Sequence, residues 1–126
     1  MTQENKELLL RDLCARLPYG VKVICDFGLD GEITEISRTK NNLYYCKYLD
    51  CKEGYCYIES LKPYIFPMSS MTEEQKNEYQ YITERWMNDS SYSISDSIDW
   101  LNKNHFDYRG LIEKGLAIDA TGLNIY

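Results

Sequence analysis

The fold of this chain is decided by one stretch, Tyr44-Tyr45-Cys46-Lys47-Tyr48-Leu49-Asp50-Cys51-Lys52-Glu53-Gly54-Tyr55-Cys56-Tyr57-Ile58-Glu59. Two runs rich in tyrosine and aliphatic residues flank a polar segment that ends at Gly54. Aromatic and branched side chains suit a pleated surface, and Glu53-Gly54 suits a hairpin whose last turn residue has positive φ. The stretch therefore predicts a β-hairpin in which Cys51 faces Tyr55.

This register gives the hairpin two different faces. One face gathers Tyr44, Cys46, Tyr48, Cys56 and Ile58, and the other carries Tyr45, Lys47, Tyr55, Tyr57 and Glu59, with Lys47 opposite Glu59. A single sheet rarely buries both faces without a covering layer. Tyrosine is also favoured at protein interfaces, because it is amphipathic and loses little entropy on ordering. The second face is either core beneath the helices or an exposed binding face, and Tyr45, Tyr55 and Tyr57 are its candidate contact residues.

The segments before this hairpin predict a helix and another hairpin. Glu4 to Leu17 has leucines at helical spacing, and Asp12 and Arg16 are expected to face water. Tyr19 to Ser37 predicts a hairpin around Asp30-Gly31, a favoured two-residue turn. With Leu29 facing Glu32, one face holds Val21, Val23, Cys25, Phe27, Thr34 and Ile36, and the other holds Lys22, Ile24, Asp26, Ile33 and Glu35.

The segments after the hairpin predict a short edge strand followed by helices. Pro63 and Pro67 cannot donate to a ladder, so residues 60–67 are expected to add only a short edge strand. A capping box, Ser70 with Glu73 or Thr72 with Gln75, predicts a helix to about Met87. The next helix runs from Ser93 or Ser95 to about Asn104, with Ile94, Ile98 and Leu101 inward. A short last helix, Tyr108 to Lys114, is capped by Asp107 and closed by Gly115, and the tail beyond it is a docked extended segment.

These elements predict a single α+β domain over residues 1–126. Residues 1–18 form the N-terminal helix, and residues 19–66 form four to five antiparallel strands in a small sheet or SH3-like barrel. Residues 67–126 form two to three helices and the tail.

The charge and hydrophobicity of the chain argue against several functions. The net charge is -6, and residues 63–126 carry five basic and ten acidic residues. This balance works against generic binding to nucleic acid or anionic membranes, which needs cations. No run approaches the ~20 apolar residues that span a bilayer, and the N-terminus lacks the layout of a signal peptide. A cytoplasmic location and no membrane association are therefore expected.

The residues that could carry chemistry do not assemble into a known motif. Cys46, Cys51 and Cys56 are spaced by five, whereas structural zinc sites usually use two close pairs of ligands. His105 is the only histidine, and no catalytic signature surrounds any cysteine. We therefore expect reduced thiols, no metal, no cofactor and no enzymatic activity. A pocket between the sheet and the helices is the one place left open for a small ligand.

Two stretches look familiar: Lys62 to Gln75, which includes Pro67-Met68-Ser69-Ser70-Met71-Thr72-Glu73-Glu74, and Trp100 to Ala117, which includes Asn104-His105-Phe106-Asp107-Tyr108-Arg109-Gly110-Leu111-Ile112-Glu113-Lys114-Gly115-Leu116. Both resemble a family of small uncharacterised proteins of gut bacteria, often found in prophage or other mobile-element contexts. The resemblance implies a small cytoplasmic accessory protein and assigns no activity or functional residue.

The preferred prediction is a non-enzymatic protein-interaction or accessory module of phage or mobile-element origin. The alternative is an acidic inhibitor or anti-defence protein. Its acidic helices, with Glu73, Glu74, Glu78, Glu84, Asp89, Asp96 and Asp99, would block the basic groove of a host nucleic-acid-handling protein.

Overall fold

The computed structural model describes residues 1–26, 28–40, 44–48, 55–88 and 94–126, and for residues 45, 46, 48, 55, 86–88 and 94 it describes the backbone alone. Three α-helices lie in these ranges: α1 (Gln3–Arg16), α2 (Glu73–Asn88) and α3 (Ile94–Lys103). The strands are β1 (Lys22–Cys25), β2 (Asp30–Arg38), β3 (Tyr44–Tyr48), β4 (Tyr55–Tyr57), β5 (Leu61–Pro67), β6 (Phe106–Asp107) and β7 (Ile118–Asp119). The predicted α+β class is confirmed.

The described strands form one mixed sheet in the order β4-β3-β2-β1-β5-β6, and β7 also pairs with β5. Strands β1 to β5 pair antiparallel, whereas the two-residue strands β6 and β7 run parallel to β5. The sequence predicts either a small sheet or an SH3-like barrel, and this strand order matches the sheet. The N-terminal helix, the antiparallel strands and the following helices occur in the predicted order.

The predicted turn of the first hairpin is wrong. Lys22 pairs with Glu32 and Ile24 with Asp30, so Asp30 and Gly31 lie inside β2. The turn lies earlier, where the Cys25 N–H donates to the Leu29 carbonyl at 2.9 Å. This odd shift in register moves Ile33 to the buried side of the sheet with Val21. The physical reason is that two-residue alternation exchanges the faces at every odd slip.

A bulge in β2 adds a second correction to the predicted faces. The pairing with β3 shifts between Ile33 and Glu35. Since a bulge adds one residue to one strand, Ile33 and Ile36 can both turn toward the core although they are three positions apart. Ile33 is buried, and Ile36 packs against the same cluster.

The central hairpin forms with a different register from the predicted one. Cys46 pairs with Cys56, and Lys47 pairs with Tyr55 instead of Glu59. The shift is even, so positions 45, 47, 55 and 57 still share one face of the ribbon. Glu59 meets the ammonium of Lys6 on α1 instead, and this ion pair joins the helix to the end of the ribbon. The predicted turn at residues 49–54 lies outside the described residues.

Strand β5 is central and not the predicted edge strand. It pairs with β1 on one side and with β6 and β7 on the other. The Asp26 N–H donates to the Ser60 carbonyl, and antiparallel pairs alternate between bonded and non-bonded, so Pro63 falls at a non-bonded pair with Val23. Its missing N–H therefore removes no bond to β1, and the strand continues through it.

Helix α1 covers the sheet with the predicted leucines. Leu9 and Leu13 are fully buried against residues that include Val23, Ile65 and Leu111. Thr2 caps the helix by accepting from the Asn5 N–H at 3.1 Å. The prediction that Asp12 and Arg16 face water is wrong, because both side chains are completely buried.

Helices α2 and α3 enclose a second, aromatic cluster. The Thr72–Gln75 capping box is confirmed, since the Gln75 N–H donates to Thr72 Oγ1 and the Thr72 N–H donates to Gln75 Oε1. Trp100 stacks between Tyr79 and Phe106, with ring centroids 5.6 and 5.7 Å away. The inward prediction holds for Leu101 and is wrong for Ile98, which is 36% exposed. Ser97, Trp100 and Asn102 take buried positions on α3 instead.

The predicted third C-terminal helix is a set of turns over residues 111–115. Asp107 caps it as expected, accepting from the Leu111 and Ile112 N–H groups at 3.0 Å each. The Leu116 N–H donates to the Leu111 carbonyl and the Gly115 N–H to the Ile112 carbonyl, which is a Schellman closure at a glycine with φ of 72°. Asp107 and Gly115 were therefore correctly predicted as the start and the end of this segment, but the residues between them form turns and not a helix.

None of the helices in the described part of the chain is both long enough and apolar enough to cross a bilayer.

Candidate functional site

The predicted tyrosine face has one described side chain, and it is exposed. Tyr57 lies on β4, the outermost strand of the described sheet, and 52% of its surface is accessible. Its chain neighbours Cys56 and Ile58 are 9% and 0% exposed. The strand thus alternates between the core and solvent, and Tyr57 is on the solvent side.

The other two candidate contact residues are near Tyr57 in the backbone register. Tyr45 pairs directly with Tyr57, and Tyr55 lies two positions before it, opposite Lys47. The Lys47 side chain on this face is exposed. The Tyr45 and Tyr55 side chains lie outside the described atoms, so their exposure stays a prediction. We call positions 45, 47, 55 and 57 the ribbon face.

Ile58 fixes the orientation of the ribbon face. It is completely buried with Leu9, Leu13 and Leu61 in the main core. Immediately after it, Glu59 is bound to Lys6 on α1. One side of β4 is therefore anchored to the core, which keeps Tyr57 directed away from it. An exposed aromatic on an edge strand is suited to contact with another polypeptide.

A buried ionic cluster lies on the other side of α1, where sequence analysis expected solvent. Arg16 Nε donates to Asp12 Oδ2 at 2.8 Å, and Arg16 Nη2 donates to the Phe106 carbonyl at 2.6 Å. Neither side chain is exposed. Because both are enclosed, they cannot meet a ligand from solvent, and their role is to join α1 to β6.

Arg109 and Tyr108 complete this cluster from the C-terminal turns. Arg109 Nε lies 3.3 Å from Asp12 Oδ1, so one carboxylate serves two guanidinium groups. The Tyr108 ring lies 5.5 Å from Arg16 Cζ and 4.9 Å from Arg109 Cζ. Its hydroxyl donates to Asn102 Oδ1 at 2.9 Å. These contacts connect α1, α3 and the segment after β6.

His105, the only histidine, packs against the last residue of the chain. Its ring stacks on Tyr126, with centroids 3.6 Å apart and planes 12° apart. Burial lowers the pKa of His105 from 6.5 to about 4, and the charges of Arg16 and Lys22 add to this shift. The neutral ring is thus the stable form at pH 7, which fits a packing role.

The Tyr126 hydroxyl anchors the tail to two strands. It donates to the Tyr64 carbonyl and accepts from the Lys22 N–H, both at 2.8 Å. Burial raises the pKa of Tyr126 to about 12. The predicted docking of the tail has a physical basis in these bonds and in the Lys22 Nζ bond to the Ile125 carbonyl.

The predicted thiols are partly described. Cys25 and Cys56 are buried and Cys14 is exposed, and none of these three forms a disulfide. Within the described ranges, no group of three or more His, Cys, Asp or Glu side chains could hold a metal ion. Cys51 and the Cys46 side chain lie outside the described atoms.

Sequence analysis missed the ionic cluster, although a signal for it exists. Asp12 and Arg16 are four positions apart, which is the spacing of a helical ion pair. Asp12 and Arg16 also follow Leu9 and Leu13 by three positions each, a spacing that places them beside the apolar face of the helix. That spacing could have predicted the pair, but its burial depends on Phe106, which is 90 residues further on.

Comparison with protein-family models, curated proteins and solved structures finds no match for this chain.

Proposed function

We propose that this protein is a non-enzymatic protein-interaction module and that its contact surface is the ribbon face around Tyr57. The observation that supports this proposal is a tyrosine that is 52% exposed on the outermost strand of the described sheet. Large aromatic side chains contribute strongly to binding when a partner buries them. The accessory role in a phage or mobile element, which the resemblance implies, belongs to the same proposal.

The mode of binding follows from the position of β4 in the sheet. A strand at the end of a sheet can add a strand from another chain, with backbone bonds giving affinity and alternate side chains giving specificity. Tyr57 is then the side chain that selects the partner. Because this contact buries apolar surface, binding should survive 1 M salt, at which the screening length for charges falls to ~3 Å.

The second candidate is the acidic inhibitor, and the exposed carboxylates of α2 and α3 favour it. Glu73, Glu74, Glu78, Asp96 and Asp99 are exposed. One of them, Glu73, is 3.3 Å from the ammonium of Lys76. A partner bound by these carboxylates would be released by salt.

The test is affinity capture from a lysate of the native host at low and high salt, with quantitative mass spectrometry. Tyr57→Ala is compared with Tyr81→Ala, a matched control because Tyr81 is 57% exposed on α2. A partner that survives high salt, is lost with Tyr57→Ala and is kept with Tyr81→Ala supports the interaction module.

Other outcomes reject it. A partner that Tyr57→Ala and Tyr81→Ala retain equally does not use the ribbon face. A partner released by salt and lost on Glu74→Gln with Glu78→Gln supports the acidic inhibitor instead. Circular dichroism of each variant excludes unfolding as the cause.

A further inference from the structure

A cleft of about 360 Å³ lies where β1, β2 and β5 meet the C-terminal tail. Lys22, Asp30, Glu32 and Tyr64 supply its polar side chains, and Asn124 and Ile125 of the tail form one wall. None of the residues that line the cleft belongs to the ribbon face. Its volume is at the small end of the range for ligand pockets.

Two opposite charges in the cleft are neighbours in the sheet but do not pair. Lys22 and Glu32 are direct cross-strand partners, a position where opposite charges usually attract. Lys22 instead donates from Nζ to the Ile125 carbonyl at 2.6 Å and lies 5.6 Å from the centre of the Tyr126 ring. The Glu32 carboxylate lies over Gly20, where an added Cβ would be 2.8 Å from Oε1. The tail therefore draws the lysine away from the carboxylate.

Asp30 adds a second carboxylate to the same side of β2. It is two positions before Glu32, so both side chains alternate to one face of the strand. Among the described residues, neither carboxylate has a hydrogen-bond or ion-pair partner. Two acceptors with charge but no partner therefore border one cavity.

Tyr64 supplies a third acceptor. The residue is 7% exposed, lines the cleft, and has no partner for its hydroxyl in the described part of the chain. Burial, and to a smaller extent the charge of Asp30, raise the pKa of Tyr64. An unpartnered hydroxyl on a buried side chain is available for a bound donor.

The charges of the cleft indicate the kind of ligand. Two carboxylates and one ammonium give a net charge of −1, and each of the three unpartnered groups can accept a hydrogen bond, although the phenol of Tyr64 can also donate one. A guanidinium or ammonium group carries only donors and makes strong, charge-assisted bonds to carboxylates. We propose that the cleft binds a small organic cation with a guanidinium group, held by Asp30, Glu32 and the Tyr64 hydroxyl.

The test is isothermal titration calorimetry with agmatine, arginine and citrulline. Agmatine and arginine carry a guanidinium group, whereas citrulline has a neutral urea of the same shape. We expect agmatine and arginine to bind at least about tenfold more tightly than citrulline, since one lost charge-assisted bond exceeds 1.4 kcal/mol. Asp30→Asn and Glu32→Gln should each weaken agmatine binding about tenfold, while the exposed control Glu74→Gln leaves it unchanged.

Several results would overturn the proposal. Equal affinity for citrulline would show that charge is not recognised, and unchanged affinity in both Asp30→Asn and Glu32→Gln would place binding elsewhere. No binding heat with agmatine at millimolar concentration would also reject it. If N-acetyl-arginine amide, which mimics an arginine within a polypeptide, binds and agmatine does not, the occupant is a protein side chain and not a small molecule. Thermal unfolding of each variant confirms that the fold is intact.

The cleft and the ribbon face can fail independently. Tyr57→Ala should leave agmatine binding unchanged, and Asp30→Asn should leave capture of a ribbon-face partner unchanged.

Discussion

Arg16 on α1 donates to the carboxylate of Asp12 one helical turn before it, at 2.8 Å, and neither side chain reaches solvent. The same guanidinium holds the carbonyl of Phe106, which is 90 residues further along the chain. This pair therefore forms a joint between the N-terminal helix and the C-terminal part of the fold. Arg109, 3.3 Å from the other oxygen of Asp12, makes the carboxylate the centre of the joint.

Replacing Asp12 should destabilise the protein strongly. Asp12→Asn leaves two guanidinium groups near an uncharged amide, and breaking a buried pair in this way typically costs about 3–5 kcal/mol. The free energy of unfolding from urea denaturation measures this loss. The control is Asp99→Asn, an exposed carboxylate on α3, which should change stability by less than about 0.5 kcal/mol.

Replacing both Asp12 and Arg16 by apolar residues is a second test of the same joint. Asp12→Leu with Arg16→Met should destabilise less than Asp12→Asn alone, because the fully buried guanidinium of Arg16 is removed with its partner and only Arg109, whose side chain is 21% exposed, loses an ion pair. Equal stability of Asp12→Asn and the unmodified protein would contradict the joint.

His105 should give the stability of the protein a pH dependence above the range where carboxylates titrate. Burial, Arg16 and Lys22 lower its pKa from 6.5 to about 4, so the unfolded chain binds a proton first as the pH falls. This contribution to stability is fully present above pH 6.5 and is lost as the pH falls toward 4. Between pH 7 and pH 5, roughly 1 kcal/mol should disappear, because solvent that reaches the partly exposed ring reduces the effect of the shift.

Proton NMR can follow this titration directly, because the chain has one histidine. Urea denaturation at pH 7 and pH 5 gives the stability difference. In His105→Asn the difference should shrink, and asparagine suits the position because it tolerates the φ of 64° found there. A His105 resonance that titrates near pH 6.5 in the folded protein would contradict the prediction.

Two glycines offer a matched comparison of backbone strain and contact. Gly20 and Gly122 both have φ of 77°, but only at Gly20 would a Cβ meet another residue, Glu32 Oε1 at 2.8 Å. Alanine in this region of φ costs about 1–2 kcal/mol at either position. Because the Glu32 carboxylate is the end of a flexible side chain without a partner among the described residues, it can move aside, so Gly20→Ala and Gly122→Ala should destabilise by similar amounts in thermal unfolding. A clearly larger loss at Gly20 that Glu32→Ala recovers would show instead that the carboxylate is held in place.

The hydroxyl of Tyr126 should contribute to stability without any change in packing volume. Tyr126→Phe removes the bonds to the Tyr64 carbonyl and the Lys22 N–H. Leaving such groups unpaired costs about 1–3 kcal/mol. Hydrogen exchange should show faster exchange of the Lys22 amide in this variant. Tyr81→Phe on α2 is the control, and equal stability of the two variants would show that the tail does not anchor the sheet.

Local patterns in the sequence determined much of the fold. Leucine spacing predicted α1 to within one residue at each end, and Thr72 with Gln75 predicted the cap of α2. Asp107 and Gly115 marked the start and closure of the last turns. Each of these features depends on residues that are at most a few positions apart, so neighbouring side chains encode it. For the candidate site, Tyr57 is exposed, whereas its role in binding stays a prediction and the side chains of Tyr45 and Tyr55 lie outside the described atoms.

Only the tertiary structure decided which polar residues became internal and which strand became central. The sequence predicts Asp12 and Arg16 at the surface, but in the fold both are buried, with Phe106 and Arg109 as their partners. The sequence predicts β5 at an edge, but in the fold residues 106–107 and 118–119 pair with it and make it central. The cleft likewise needs residues 124–125 of the tail beside Lys22 and Asp30. These contacts join residues 40 to 103 positions apart in the chain, and neither helical nor strand periodicity carries information over that distance.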